Sequence, residues 1–139
     1  MNKGLIAIID DDELDRFIYR KIILLTCPSF QIIDFSDGIE ALEYFSRHSK
    51  NASRLPDLIL LDLRMPGING WEYLMKYAEI KPGLVKHSRH FICTSSMEKV
   101  GTIEPVDDLY GYYMKPISPQ NILKMVSDTV GDLESENKI

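Results

Sequence analysis

The sequence predicts an α/β fold: a doubly wound, five-stranded parallel sheet of order 2-1-3-4-5 with helices on both faces. Three observations predict it. Short apolar runs alternate with segments of helical periodicity five times along 139 residues, and strict β-α alternation implies a parallel sheet covered on both sides. Most of the runs are apolar without interruption, as strands buried on both faces are. Four of them are followed by polar residues: Asp10 and Asp11 after Leu5-Ile6-Ala7-Ile8-Ile9, Asp62 after Leu58-Ile59-Leu60-Leu61, Thr94 after Phe91-Ile92-Cys93, and Lys115 after Tyr112-Tyr113-Met114. Open α/β sheets bind ligands at the carboxyl ends of their strands. Of the two common doubly wound orders, 2-1-3-4-5 sets strands one and three side by side and so joins Asp10 and Asp11 to Asp62.

The elements follow in order. Residues 4–9 read as a buried strand. A helix is expected over 12–26, with Leu14, Phe17, Ile18, Ile22 and Leu25 as its core stripe and Pro28 closing it. Residues 30–35 form a second strand whose more alternating pattern suggests a sheet edge. A helix over 38–47 carries Ile39, Leu42 and Phe45, and 48–56 is a polar loop. A strand over 57–61 precedes a helix over 70–80, with Trp71, Leu74, Met75 and Ala78 as core. A strand over 90–94 comes next. Gly101 and Pro105 weaken a helix over 97–108. A strand over 109–114 and a helix over 118–131 complete the pattern, with Ser118 as N-cap and Pro119 at the first helical position. The polar stretch 131–139 reads as a frayed tail.

Composition bounds the function. The net charge of −5 argues against nucleic acid or an anionic membrane as the main partner. Hydrophobic residues make up 45% and charged residues 27%, the balance of a soluble globular domain. Cys27 and Cys93 show neither a disulfide framework nor metal-ligand spacing, which favours a reducing, cytoplasmic setting. No apolar run is long enough to span a membrane. His48, His87 and His90 share no ligand spacing and read as solvated side chains, as does the thin basic set Lys81, Lys86 and Arg89.

Five segments in this order resemble the receiver domain of two-component response regulators. They are Ile9-Asp10-Asp11-Asp12-Glu13-Leu14-Asp15-Arg16, Ser36-Asp37-Gly38-Ile39-Glu40-Ala41-Leu42, Leu60-Leu61-Asp62-Leu63-Arg64-Met65-Pro66-Gly67-Ile68-Asn69-Gly70, Thr94-Ser95-Ser96 and Gly111-Tyr112-Tyr113-Met114-Lys115-Pro116. Each alone is weak; all five at these spacings are specific, and they cover nearly all of residues 1–139, which then read as a single, stand-alone receiver domain of flavodoxin-like architecture similar to the chemotaxis regulators.

The resemblance implies a site. Asp62 is the phosphoacceptor, a carboxylate nucleophile that becomes an acyl phosphate. Mg²⁺, a hard cation that takes oxygen ligands, is implied at Asp11, Asp10, Asp62 and the backbone carbonyl of Arg64. Lys115 neutralises one phosphoryl oxygen and Thr94 hydrogen-bonds another. Thr94 and Tyr112 form the switch, and the side chains of Arg64 and Ser96 tune dephosphorylation. Partners are implied to be a histidine kinase or phosphotransfer protein, then a protein target or a second copy on the face made by the fourth helix, fifth strand and fifth helix, where Val100, Ile103 and Tyr110 are apolar candidates. Activity beyond self-phosphorylation and self-dephosphorylation is not implied. Pro116 could follow a cis bond.

Blander readings stand beside these. A lone Asp after a strand is more often a helix cap, and Asp12 reads as one. Thr94 alone is an ordinary strand-end hydroxyl, and Lys115 alone a surface lysine. Two other classes are weighed. An aspartyl-phosphate phosphohydrolase needs a second Asp two residues after the nucleophile, where this chain has Arg64. A flavodoxin-like flavin carrier needs a Ser/Thr/Gly phosphate loop after the first strand, where this chain has Asp10-Asp11-Asp12.

Overall fold

A computed structural model describes residues 4–95 and 107–137, with side chains to Gly131. Its elements are β1 (Gly4–Ile9), α1 (Glu13–Thr26), β2 (Phe30–Phe35), α2 (Gly38–Arg47), β3 (Leu58–Leu61), α3 (Gly70–Ile80), β4 (Arg89–Thr94), β5 (Leu109–Met114) and α4 (Pro119–Asn137). The sheet runs β2-β1-β3-β4-β5 with every neighbouring pair parallel, as the strand-end residues required. The fourth helix expected over 97–108 falls almost wholly outside the described residues. The last helix runs past its expected end at 131, to Asn137.

Period-2 alternation along the central strands divides the core in two. Ala7, Ile9, Ile59, Leu61 and Ile92 face α2 and α3 and pack with Ala41, Phe45, Tyr73 and Leu74. Ile6, Ile8, Leu58, Leu60 and Phe91 face α1 and α4 and pack with Tyr19, Ile23, Ile122 and Met125. Each large side chain so buried contributes roughly 1.5–3 kcal/mol. β2 and β5 lie at the edges, and their burial is accordingly interrupted.

Carboxamide and carboxylate caps start the helices. Asp12 accepts from the backbone N–H groups of Leu14 and Asp15, Asp37 accepts from Glu40, and Asn69 with Glu72 forms a capping box. Ser118 Oγ accepts from Asn121 N at 3.1 Å, as expected of an N-cap. The Lys115–Pro116 peptide bond is cis.

Two helices present a different face from the one expected. In α1 the buried residues are Tyr19 and Ile23, while Leu14, Phe17, Ile18 and Leu25 are exposed, Leu25 to 83%. In α3 the buried residues are Gly70, Tyr73, Leu74 and Tyr77; Trp71 is half-buried, and Met75 and Ala78 are exposed. Both helices carry apolar side chains on more than one face, so periodicity alone left the rotation open, and packing against the sheet chose it. In α3 the two tyrosines can be buried because their hydroxyls find partners.

Those partners correct a further expectation. His90 is fully buried, not solvated. Its Nε2 is hydrogen-bonded to the Tyr73 hydroxyl at 2.8 Å, and its ring meets Tyr77 edge-on at 4.5 Å. The basic set is also engaged rather than solvated: Lys81 pairs with Asp108 at 2.6 Å, Lys86 with Asp57 at 2.9 Å, and Arg89 lies 4.3 Å over the Tyr110 ring. Among the described residues, no helix is long and apolar enough to cross a membrane.

Candidate functional site

The carboxyl ends of β1, β3, β4 and β5 meet at one edge of the sheet. β1 delivers Asp10, which is buried, and Asp11, which is exposed. Asp10 Oδ1 accepts from Asp12 N at 2.9 Å, and the Asp10 carbonyl accepts from Arg16 Nη1 at 2.8 Å. These two bonds fix the chain where it leaves the sheet for α1. β3 delivers Asp62, whose N–H continues the parallel ladder by donating to the Ile9 carbonyl at 2.9 Å. Its Oδ1 accepts weakly from Arg64 N at 3.4 Å. One ligand oxygen each from Asp10, Asp11 and Asp62 lies within 4.8 Å of the others.

β4 ends in Thr94, which is buried, and its carbonyl accepts from the N–H of Lys115 at 2.8 Å. The Lys115 ammonium bonds Asp10 Oδ2 and Asp15 Oδ2, each at 2.7 Å, and stands 3.5 Å from Asp62 Oδ2. The expected set Asp10, Asp11, Asp62 and Lys115 is therefore gathered, and Thr94 stands at the end of the neighbouring strand. Tyr112 lies on β5 with its side chain exposed. Ser96 lies outside the described residues, as do Val100 and Ile103. Asp15 was not foreseen as a site residue. Its signal was present in the helix period: four residues after Asp11 on a helix begun at Asp12, its side chain points back toward the strand ends.

The electrostatics are those of crowded acids around one cation. Burial, and the Asp62 charge to a lesser degree, pushes the Asp10 carboxyl up to about 6 against the pull of Lys115. Burial likewise raises Asp62, with the Asp11 charge adding to it. Burial alone would lower the Lys115 pKa, but the hydrogen bonds to Asp10 and Asp15 and the charges of Asp10 and Asp62 outweigh it and hold the ammonium above its ordinary range. An open cleft of about 440 Å³ adjoins the acids, lined by Asp11, Arg64, Met65, Asn69 and Trp71. An all-oxygen donor set of this charge suits a hard divalent cation, and a cation would relieve the repulsion among the three carboxylates.

The sequence matches a family model for the response regulator receiver domain over residues 6–127. It is similar to the DNA-binding transcriptional regulator NtrC of Escherichia coli, 32% identical over 87 residues that cover 60% of this chain and 16% of that protein. It is also similar to the polar-differentiation response regulator DivK of Brucella anthropi, 27% identical over 131 residues covering 91% of this chain and 96% of that one. The fold is shared with the crystal structure of a two-component response regulator from Legionella pneumophila, at a TM-score of 0.77 and 22% identity over 93% of this chain and 99% of that one.

Proposed function

The chain belongs to the response regulator receiver domain family, and from that membership we propose that it accepts a phosphoryl group on Asp62, with Mg²⁺, from a histidine kinase or phosphotransfer protein, and thereby switches a protein-binding face. Family members are signalling domains rather than classical enzymes. The observation that carries the reading is the Asp62 carboxylate set between the acids Asp10 and Asp11 and the Lys115 ammonium.

Phosphoryl transfer asks mainly for positioning and charge neutralisation. An Asp62 oxygen attacks phosphorus as the bond to the donor's nitrogen breaks; its electron pair leaves with the imidazole, which takes up a proton, and Asp62 is left as an acyl phosphate. Asp11 and Asp62 would hold Mg²⁺ with the Arg64 carbonyl, and Asp10 would act through water; the ion supplies positive charge to the phosphoryl oxygens. Lys115 supplies the second cation and Thr94 a hydroxyl donor. Arg64, two residues beyond Asp62 and lining the same cleft, would shield the phosphoryl group from water, with Ser96 tuning the same step.

As Thr94 moves toward the phosphoryl oxygens, Tyr112 would turn inward and re-shape the β5 surface, where Tyr110 and Met114 are also exposed. That face would bind a protein target or a second copy. Leu14, Phe17 and Ile18 are exposed on α1, and Ile18 lines the groove that reaches Lys115, so this helix offers a phosphodonor protein an apolar surface. Two free, buried cysteines fit a reducing cytoplasm.

Intact-mass measurement with acetyl phosphate tests the reading. A single phosphate adduct is expected with Mg²⁺, absent without it and absent in Asp62→Asn. An adduct persisting in Asp62→Asn overturns the assignment.

A further inference from the structure

The Lys115 ammonium is shared unequally. Its two short contacts go to Asp10 and Asp15, and the contact to Asp62 is 0.8 Å longer, 3.5 Å against 2.7 Å. The two short partners differ in surroundings. The Asp10 side chain is 1% exposed and has no solvent to fall back on, whereas that of Asp15 is 29% exposed and sits in the groove with Ile18, Tyr19, Ser95 and Pro116. A buried carboxylate that loses its cation is left uncompensated, while one open to water is re-solvated. If the ammonium shifts toward a new anion on Asp62, Asp15 is the partner it can leave.

Resting on the phosphoacceptor reading above, we propose that Asp15 is a positioning residue that holds the Lys115 ammonium away from Asp62 until a phosphoryl group arrives, and so sets the balance between the unloaded and loaded forms of the site. Two effects of Asp15 act with the same sign. The Asp15 carboxylate competes with the phosphoryl oxygens for one ammonium. Its own negative charge, on the first turn of α1 beside Asp10, also repels a group that brings further negative charge into the site. Removing the charge favours the loaded form on both counts. Asp15 touches neither phosphorus nor the acceptor oxygen; it acts through Lys115.

The test is titration with beryllofluoride, a phosphoryl mimic, at fixed Mg²⁺, read by the fluorescence of Trp71, the chain's one tryptophan, which lines the cleft with Asp11 and Arg64. Asp15→Asn is expected to bind the mimic about two- to fivefold more tightly than wild type, the range of a partly exposed ion pair. Asp15→Glu, which keeps the charge, is expected to stay close to wild type. Equal or weaker binding in Asp15→Asn overturns the proposal, as does tightening in Asp15→Glu as large as in Asp15→Asn. The underlying reading fails separately, if Asp62→Asn responds to the mimic as wild type does.

Discussion

Gly70 stands against the backbone of Asp62. A Cβ on Gly70 would lie 2.7 Å from the Asp62 carbonyl oxygen and 2.9 Å from the Leu63 Cα, and the Gly70 N–H donates to the Leu63 carbonyl at 2.9 Å. The first turn of α3 is thus seated directly on the strand end that carries the acceptor. Neither neighbour is a flexible side chain that could swing away. Gly70→Ala must move the loop, at a cost of about 1–3 kcal/mol, and should slow phosphorylation by acetyl phosphate. Urea midpoints and adduct-formation rates report the two effects; a variant unchanged in both would show that the approach constrains nothing.

Metal binding is predicted to be visible as stability. Mg²⁺ at about 100 times its Kd should stabilise the folded state by about 2.7 kcal/mol through mass action. Asp11→Ala should lose that response while folding normally, because Asp11 is exposed. Equal melting shifts in wild type and variant would remove Asp11 from the ligand set.

His90 predicts an acid limb. Burial holds its pKa at about 4, below the ordinary 6.5, so between those values the unfolded chain binds a proton that the folded chain refuses. Stability contributed by the neutral ring is complete above about 6.5 and is lost as pH falls toward 4, by roughly 3 kcal/mol. Asp10 has the opposite sign: its carboxyl is raised to about 6, so its protonated form favours the folded state at low pH and that contribution is lost as pH rises through 6. Comparing wild type with His90→Gln at each pH cancels the Asp10 contribution. The stability advantage of wild type over the variant should narrow from pH 7 to pH 4.5, and a constant difference would show that His90 does not titrate in this way.

Arg64 is predicted to lengthen the life of the acyl phosphate. Its cationic side chain lines the cleft beside Asp62, where water must approach. Decay of phosphorylated protein should be several-fold faster in Arg64→Ala. Unchanged or slower decay would remove the shielding role and leave the acceptor assignment intact.

The α1 surface is predicted to separate protein donors from small ones. Phe17 is 55% exposed within the apolar stripe, so Phe17→Glu should leave the fold and the acetyl phosphate reaction intact. Phosphotransfer from a cognate histidine kinase should fall sharply. Transfer at the wild-type rate would place the donor contact elsewhere.

Much of this molecule was legible in the order of its residues. Short uninterrupted apolar runs set between helical segments read as strands buried on both faces, and strict alternation with helices makes them parallel. Asp10, Asp11, Asp62, Thr94 and Lys115 could be read because a strand's end is a local property, and strand order then decides which ends are neighbours. Tertiary structure alone decided the helix rotations. In α1 the run Phe17-Ile18-Tyr19 followed by Ile22-Ile23-Leu24-Leu25 leaves several faces equally apolar, and contact with Ile6, Ile8 and Leu60 selected Tyr19 and Ile23. The same holds for every partner distant in sequence. His90 reads as polar by itself and becomes a core residue only because Tyr73 and Tyr77 enclose it. Asp15 reads as one more acid in a helix's first turn, and only the fold brings Lys115, a hundred residues later, to within 2.7 Å of it. Local patterns specify which groups are polar, apolar or capping; the pairing energy that sets burial, charge state and rotation exists only once the partners meet.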